Sequence, residues 1–345
     1  MAVPSHISPA STGTGATQST AGALVQVILL LCAGTTFWLI ALGSPRNTVT
    51  DWGLSLWRVQ SAESQLRSLL RRLGPEPEIP EGWDGTNHKY TDVAPERVCV
   101  FLSDNRTILS VDELGLSDPT FIRRKTPEIG GCEYGFSLAY QLNRLWTIRH
   151  GYRFFQHDGH PITGRGGLWN KMIAVKHMTQ DTSCDYLVYI DTDAYIRAQE
   201  YSLWDMRRRW GIHDGIALAL ARDVSDADGG WNTGFLIMRN SAVTAAIIDD
   251  WIDCPDSVPG CDAWNFKPPG DQAVFSHFIM EGLQKRNVVA VLPCMEATGN
   301  TLLSELGSGC NGTIVTHNWW YGKQALAQEA ISMTALHMMR LLESL

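Results

Sequence analysis

The sequence predicts an α/β fold built on a mostly parallel sheet, and three observations predict it. Short continuous apolar runs, such as Val98-Cys-Val-Phe-Leu102 and Tyr186-Leu-Val-Tyr-Ile190, read as strands buried on both faces. These runs alternate with stretches of helical pattern, as helices packed on both faces of a sheet require. Two carboxylates, in Asp191-Thr192-Asp193, stand just past the end of one such run. Open α/β sheets bind ligands outside the carboxyl ends of their strands.

Taken in order, residues 1–20 are rich in Ser, Thr, Gly and Ala and read as a disordered N-terminal tail. Residues 21–43 carry no charged group and are interrupted mainly by Gln26, Thr35 and Thr36. At ~1.5 Å rise per residue the run reaches across a ~30 Å hydrocarbon core. The alternative is a cleaved signal peptide with Ala41-Leu-Gly43 as its small-residue site. Residues 1–20 hold no Lys or Arg, however, and the run is long for such a peptide, which favours an uncleaved transmembrane anchor. Arg46 and Arg58 both follow the span, so charge alone does not set its orientation. Residues 44–96 form a stem and linker. Val59, Ala62, Leu66, Leu69 and Leu73 give a short amphipathic helix that Gly74-Pro75 stops. The stretch from Gly74 to Tyr90, rich in Pro, Gly, Glu and Asp, gives the linker.

Residues 97–345 suit one domain. Strands are expected at Val98–Leu102, Tyr152–Phe155, Tyr186–Ile190, Ile216–Ala221, Phe235–Met238, Val288–Leu292 and Thr313–Thr316. Helices are expected at Gly135–His150, Leu168–Met178, Ser241–Ile252 and Asp271–Leu283. The 345-residue chain has 13 tryptophans, ample for a sizeable core, and a net charge of -8, which excludes a basic nucleic-acid footprint. An acidic chain still binds phosphates if a metal bridges them.

The eight cysteines form no CxxC or Cys/His set of zinc spacing. Cys254 and Cys261 flank a short loop that closes as a disulfide in an oxidising lumen, or stand as two free thiols. Asn105-Arg-Thr107 and Asn311-Gly-Thr313 are glycosylation sequons.

The Asp pair offers hard oxygen ligands of the kind that suit Mg²⁺ or Mn²⁺, and an ion held there clamps a diphosphate. Other local patterns surround it in order. Trp169-Asn-Lys171 opens the preceding helix, and Asn232-Thr-Gly234 follows about forty residues later. Asp271-Gln272 starts a helix, and His317 stands a few residues before Gly322-Lys323. Singly, each has a structural reading: core tryptophan, turn, helix cap, core histidine.

Together these patterns resemble the GT-A-fold glycosyltransferases, nearest the retaining galactosyl-, mannosyl- and xyloglucan xylosyltransferase group of nucleotide-diphospho-sugar transferases. The resemblance spans roughly Arg97 to Lys323. It implies that Asp191 and Asp193 bind Mn²⁺ (or Mg²⁺) and the donor diphosphate, with His317 completing the metal site. It implies that Gly322 and Lys323 approach the diphosphate, that Asn232 and Gly234 form a turn near the donor sugar, and that Lys171 touches sugar or phosphate. Asp271 and Gln272 would lie near the reacting carbon as the catalytic pair. Ser103 and Asp104 would hold base and ribose, and Asp223 and Asp226 are candidates for sugar hydroxyls. The partners implied are a UDP-sugar or GDP-mannose donor and a glycan or glycoprotein acceptor, at a Golgi or ER membrane with the catalytic domain lumenal. Two other readings stand beside this one. The first is a GT-A-fold lumenal binding protein without catalysis. The second is a haloacid-dehalogenase-like phosphatase, whose Asp-x-Asp follows the first strand of its domain whereas here at least two strands precede it.

Overall fold

The computed structural model describes residues 89–104, 106, 131–223, 230–299, 309–319, 326, 329, 330 and 333. The expected tail and anchor, most of the stem and linker, Gly322, Lys323, Asp226 and the Asn105 sequon lie outside the described residues. Among those described, no helix is long and apolar enough to cross a membrane.

The described residues form eight strands: β1 (Val98–Ser103), β2 (Arg153–His157), β3 (Tyr186–Ile190), β4 (Ala194–Ile196), β5 (Leu218–Arg222), β6 (Trp231–Arg239), β7 (Val289–Leu292) and β8 (Val315–His317). Six make one sheet in the order β2-β1-β3-β6-β5-β7, and β4 pairs with β8 in a second. Strands β1, β2 and β3 are mutually parallel, as are β5 and β7, while β6 runs antiparallel to both of its neighbours. The expected mostly parallel sheet therefore holds with one reversed strand. The stretch 223–230 between β5 and β6 is too short for a crossover, which takes a dozen or more residues, so β6 returns antiparallel.

The apolar runs are continuous because both sheet faces are covered. Cys99, Phe101, Leu187, Tyr189, Leu236 and Met238 enter one core, and their alternating neighbours Val98, Val100, Tyr186, Val188, Phe235 and Ile237 enter the other. The first core is closed by Met172, Val175 and Met178 of α2 (Asn170–Thr179) and by Ile247, Ile248 and Trp251 of the later helix Ala242–Ser257. The second is closed by Trp146 of α1 (Gly131–His150) and by Leu203 and Met206 of α3 (Leu203–Arg209). Gly151, at φ 80°, ends α1 by returning its N–H to the Thr147 carbonyl. Ser202 and Asp205 start α3 with a reciprocal capping box.

Several boundaries differ from expectation. The helix Ala242–Ser257, α4, runs a turn past Ile252 and includes Pro255. The expected helix Asp271–Leu283 is helical from Asp271 to Lys285 but passes through a π-helical stretch at Phe275–Ile279. The predicted Asn232-Thr-Gly234 turn is the start of β6. Its pairing is what a turn motif hides, because Asn232 lies opposite Ala221 of β5.

The Cys254–Cys261 disulfide is formed. Two further bridges, Cys99–Cys184 and Cys294–Cys310, join residues whose spacings of 85 and 16 carry no signal in the sequence.

Candidate functional site

The site lies where β3 ends. Asp191 N donates to the Gly234 carbonyl of β6 at 2.7 Å, and Ala194 N returns to the Asp191 carbonyl at 2.9 Å. This tight turn puts Asp191 and Asp193 between β3 and β4. Strand β4 then pairs antiparallel with β8, with Ala194 opposite His317. A backbone bond from Asn318 N to the Asp193 carbonyl at 2.8 Å extends that pairing. The two-stranded sheet thus brings His317 to the Asp pair across more than a hundred residues of sequence.

Asp191, Asp193 and His317 each present a ligand atom, all within 4.8 Å of one another. His317 Nε2 lies 3.1 Å from Asp193 Oδ1 and 3.8 Å from Asp191 Oδ2. The other ring nitrogen, Nδ1, is 3.0 Å from Asn232 Oδ1. That amide oxygen also accepts from Gly234 N at 3.0 Å, so it is the oxygen and not the nitrogen that meets the ring. Nδ1–H therefore donates to Asn232, which leaves the neutral ring with its lone pair on Nε2. Two acceptors, Nε2 and a carboxylate oxygen, then face each other at hydrogen-bond distance. Only a proton or a cation between them makes that arrangement favourable. Two carboxylates and one imidazole give a mixed oxygen and nitrogen donor set that Mn²⁺ accepts.

Gly234 has a reason of its own. A Cβ there would stand 2.0 Å from His317 Cε1, so the ring occupies the space that a side chain would need. This close approach, rather than a turn, is what glycine supplies at this position.

Beside the Asp pair lies a buried lysine. Lys171, in the first turn of α2, donates from Nζ to Thr233 Oγ1 at 2.9 Å. Its Nζ is 3.1 Å from Asp271 Oδ2 and 3.7 Å from Asp191 Oδ2. Burial works against its charge, but the Asp191 and Asp271 carboxylates outweigh that and raise its pKa. Asp271 is 1% exposed. Burial pushes its carboxyl up to about 6 in spite of Lys171, and the charge on Asp191 adds to the rise. Its hydrogen-bond partners are Thr233 Oγ1 at 3.1 Å and, through its carbonyl, Trp251 Nε1 at 2.9 Å. Gln272 is held at both ends: Thr233 N donates to its Oε1 at 3.2 Å, and its Nε2 donates to Asp223 Oδ2 at 2.7 Å.

The structure thus brings Lys171, Asp191, Asp193, Asn232, Gly234, Asp271, Gln272 and His317 into one cluster, with Asp223 joined to it. Asp104 lies beyond, paired with Arg106, whose Nη2 also donates to Thr192 Oγ1 at 2.8 Å. Sequence reasoning missed Arg106, Tyr189 and Thr233. The Tyr189 hydroxyl donates to Asp191 Oδ1. Burial first, then the Asp191 charge, holds that hydroxyl's pKa well above the ordinary value. A signal for Tyr189 was present, because residues two apart on a strand share a face and Tyr189 sits two before Asp191. Thr233 carried no such signal, since its partners come from two separate helices.

No protein-family model matches the chain, and no curated protein is similar to it. Among solved structures, it is similar to a glycosyltransferase involved in glycosylation of the major capsid of PBCV-1. The identity is 10%, over 68% of this chain and 99% of that one, at a TM-score of 0.44. It is also similar to the glycosyltransferase GlyE of Streptococcus pneumoniae TIGR4, with 14% identity over 72% of this chain and 63% of that one, at a TM-score of 0.40. A third is mouse xyloside xylosyltransferase 1, with 11% identity over 66% of this chain and 98% of that one, at a TM-score of 0.37. At such identities, function has to be read from the site itself.

Proposed function

We propose that the chain is a metal-dependent glycosyltransferase that moves a sugar from a nucleotide-diphosphate donor to a glycan or glycoprotein hydroxyl, with retention at the anomeric carbon. One observation carries the reading: Asp191, Asp193 and His317 converge at the carboxyl end of β3, with His317 Nε2 facing a carboxylate. A divalent cation bound by these three residues supplies Lewis-acid charge to a diphosphate leaving group.

The remaining roles follow from what each side chain touches. Asp191 and Asp193 would hold the ion, and Tyr189 orients Asp191 by hydrogen bond. Lys171 is a preorganised ammonium at the edge of the Asp pair, placed for the phosphate oxygens that gain negative charge as the bond breaks, or for a hydroxyl of the donor sugar. Asp271 is too buried to offer a free face to a sugar, so its part is to hold Lys171 in place. Gln272 cannot act as a strong nucleophile, and with both ends of its amide engaged it fits a positioning role. Gly322 and Lys323 are proposed as diphosphate contacts on the resemblance alone.

An oxidising setting such as the lumen of the Golgi or ER is supported by the Cys99–Cys184, Cys254–Cys261 and Cys294–Cys310 disulfides, while a membrane anchor at residues 21–43 is proposed on its uncharged length alone. Two strands, β1 and β2, precede the strand that carries the Asp pair in the described domain, which speaks against the phosphatase alternative.

A panel of nucleotide sugars, assayed for thermal stabilisation and turnover with and without Mn²⁺, names the donor. Asp191→Ala and Asp193→Ala should each lower metal-dependent turnover at least about a hundredfold. Binding of nucleotide sugar without turnover by the parent chain would favour the non-catalytic reading. Turnover untouched by either substitution would reject the metal site.

A further inference from the structure

Asp223 follows β5, outside the three candidate metal ligands, and its carboxylate meets an amide that in turn meets one of them. Its Oδ2 accepts from Gln272 Nε2 at 2.7 Å and lies 3.4 Å from Asn232 Nδ2. Both Asp223 and Asn232 are buried, at 7% and 3% exposed. A carboxylate accepts and cannot donate when ionised, so each amide turns its nitrogen toward it. Each amide oxygen is thereby sent the opposite way. Asn232 Oδ1 goes to Gly234 N and to the His317 ring, and Gln272 Oε1 goes to Thr233 N. If Asn232 were flipped, its NH₂ would meet both Gly234 N–H and His317 Nδ1. The ring would then have to protonate Nε2, the nitrogen that the metal site needs bare.

We propose that Asp223 is a positioning residue for the metal centre: by fixing the Asn232 amide it sets the His317 tautomer that carries its lone pair on Nε2, toward the Asp pair, and by the same carboxylate it fixes Gln272. The inference rests on the metal-dependent reading above. Metal ligands commonly depend on an outer hydrogen bond of this kind, and loss of such a partner weakens metal affinity about tenfold to a hundredfold.

The test is Mn²⁺ affinity of the full-length chain, by titration calorimetry or by the spin signal of free Mn²⁺, with melting of the metal-free protein as the check on folding. Asp223→Ala should weaken Mn²⁺ binding about tenfold or more. Asp223→Asn, which still offers an oxygen to both amides, should recover most of it. Asn232→Ala is a second route to the same loss and decides the matter if Asp223→Ala does not fold. In a His317→Ala background, neither Asp223→Ala nor Asn232→Ala should weaken Mn²⁺ further, because the ring through which they act is gone. A parent chain that binds Mn²⁺ no better than Asp191→Ala would overturn the metal reading as a whole. A parent chain that binds Mn²⁺, with Asp223→Ala and Asn232→Ala unchanged or equally damaging without His317, would overturn this inference alone.

Discussion

The two ends of strand β3 hold charge in opposite ways. At the Tyr186 end, Arg207 is buried and every part of its fork is used. Nε donates to the Ile212 carbonyl at 3.2 Å, Nη1 to the Thr91 carbonyl at 3.0 Å, and Nη2 to Asp214 at 2.9 Å. Its guanidinium also stands 4.2 Å from the Tyr186 ring centroid. Close by, Asp185 takes two bonds from Arg97, and the Cys99–Cys184 bridge staples β1 to the start of β3. At the Ile190 end, Asp191, Asp193 and Asp271 gather around Lys171 and a histidine whose facing nitrogen carries no proton when the ring is neutral. Charge at the first end is satisfied by the protein itself. At the second end, among the described residues, three carboxylates meet one lysine and one histidine, an acid-rich group whose Asp191, Asp193 and His317 atoms are close enough together to share a cation. Buried ion pairs are poor signs of function by themselves; an unbalanced group of acids is a better one.

Breaking the satisfied end should have the largest effect on the fold. Arg207→Leu takes the donor away from the Ile212 and Thr91 carbonyls and leaves half-buried Asp214 to its Thr91 bonds and the Arg239 charge, and should cost about 3 kcal/mol in denaturant unfolding. Mn²⁺ affinity of the folded fraction should stay as in the parent, since Arg207 has no contact with the Asp pair. A loss of metal binding in this variant would mean that the two ends are not separable.

Gly234→Ala tests the other end by sterics. The added Cβ collides with the His317 ring, so the ring must move, at about 1–3 kcal/mol of stability. Mn²⁺ affinity should fall with it, measured on the same sample. Stability lost with metal affinity intact would separate the packing role of this glycine from the metal site.

The smallest effect at any one pH is in the titration of the two ends, which carry opposite signs. Burial pushes the Asp214 carboxyl up, but hydrogen bonds from Thr91 and the Arg207 charge outweigh it and hold its pKa below the usual range. Its contribution is present above the unfolded value of ~3.9 and is lost as pH falls through the folded one. Asp271, raised to about 6, behaves in reverse. The folded state binds its proton more tightly than the unfolded one, so stability falls as pH rises from about 4 to about 6 and is level above that. Asp271→Asn abolishes this titration. In metal-free protein its stability relative to the parent should rise across that window, by no more than about 1.4 kcal/mol per pH unit. A flat difference would show that Asp271 stays ionised throughout.

Much of the site was legible before the fold. Asp191 and Asp193 could be found because a strand ends in front of them, and Lys171, Asp271 and Gln272 because each opens a helix. The run from Asn232 to Gly234 was found but misread, since a short polar and glycine triplet looks the same in a turn as at the start of a strand. The Asp223–Asn232–His317 chain was not legible, because its members come from β5, β6 and β8 and no local pattern links them.

The sequence by itself determined the α/β class, the strand cores and the place of the Asp pair, because apolar runs and chain order are local properties. Tertiary structure alone decided the reversal of β6, the β4–β8 pairing that delivers His317, the Cys99–Cys184 and Cys294–Cys310 disulfides and the direction in which each amide faces. Those depend on what lies across a sheet or around a buried carboxylate, and residues far apart in the chain meet there only after it has folded.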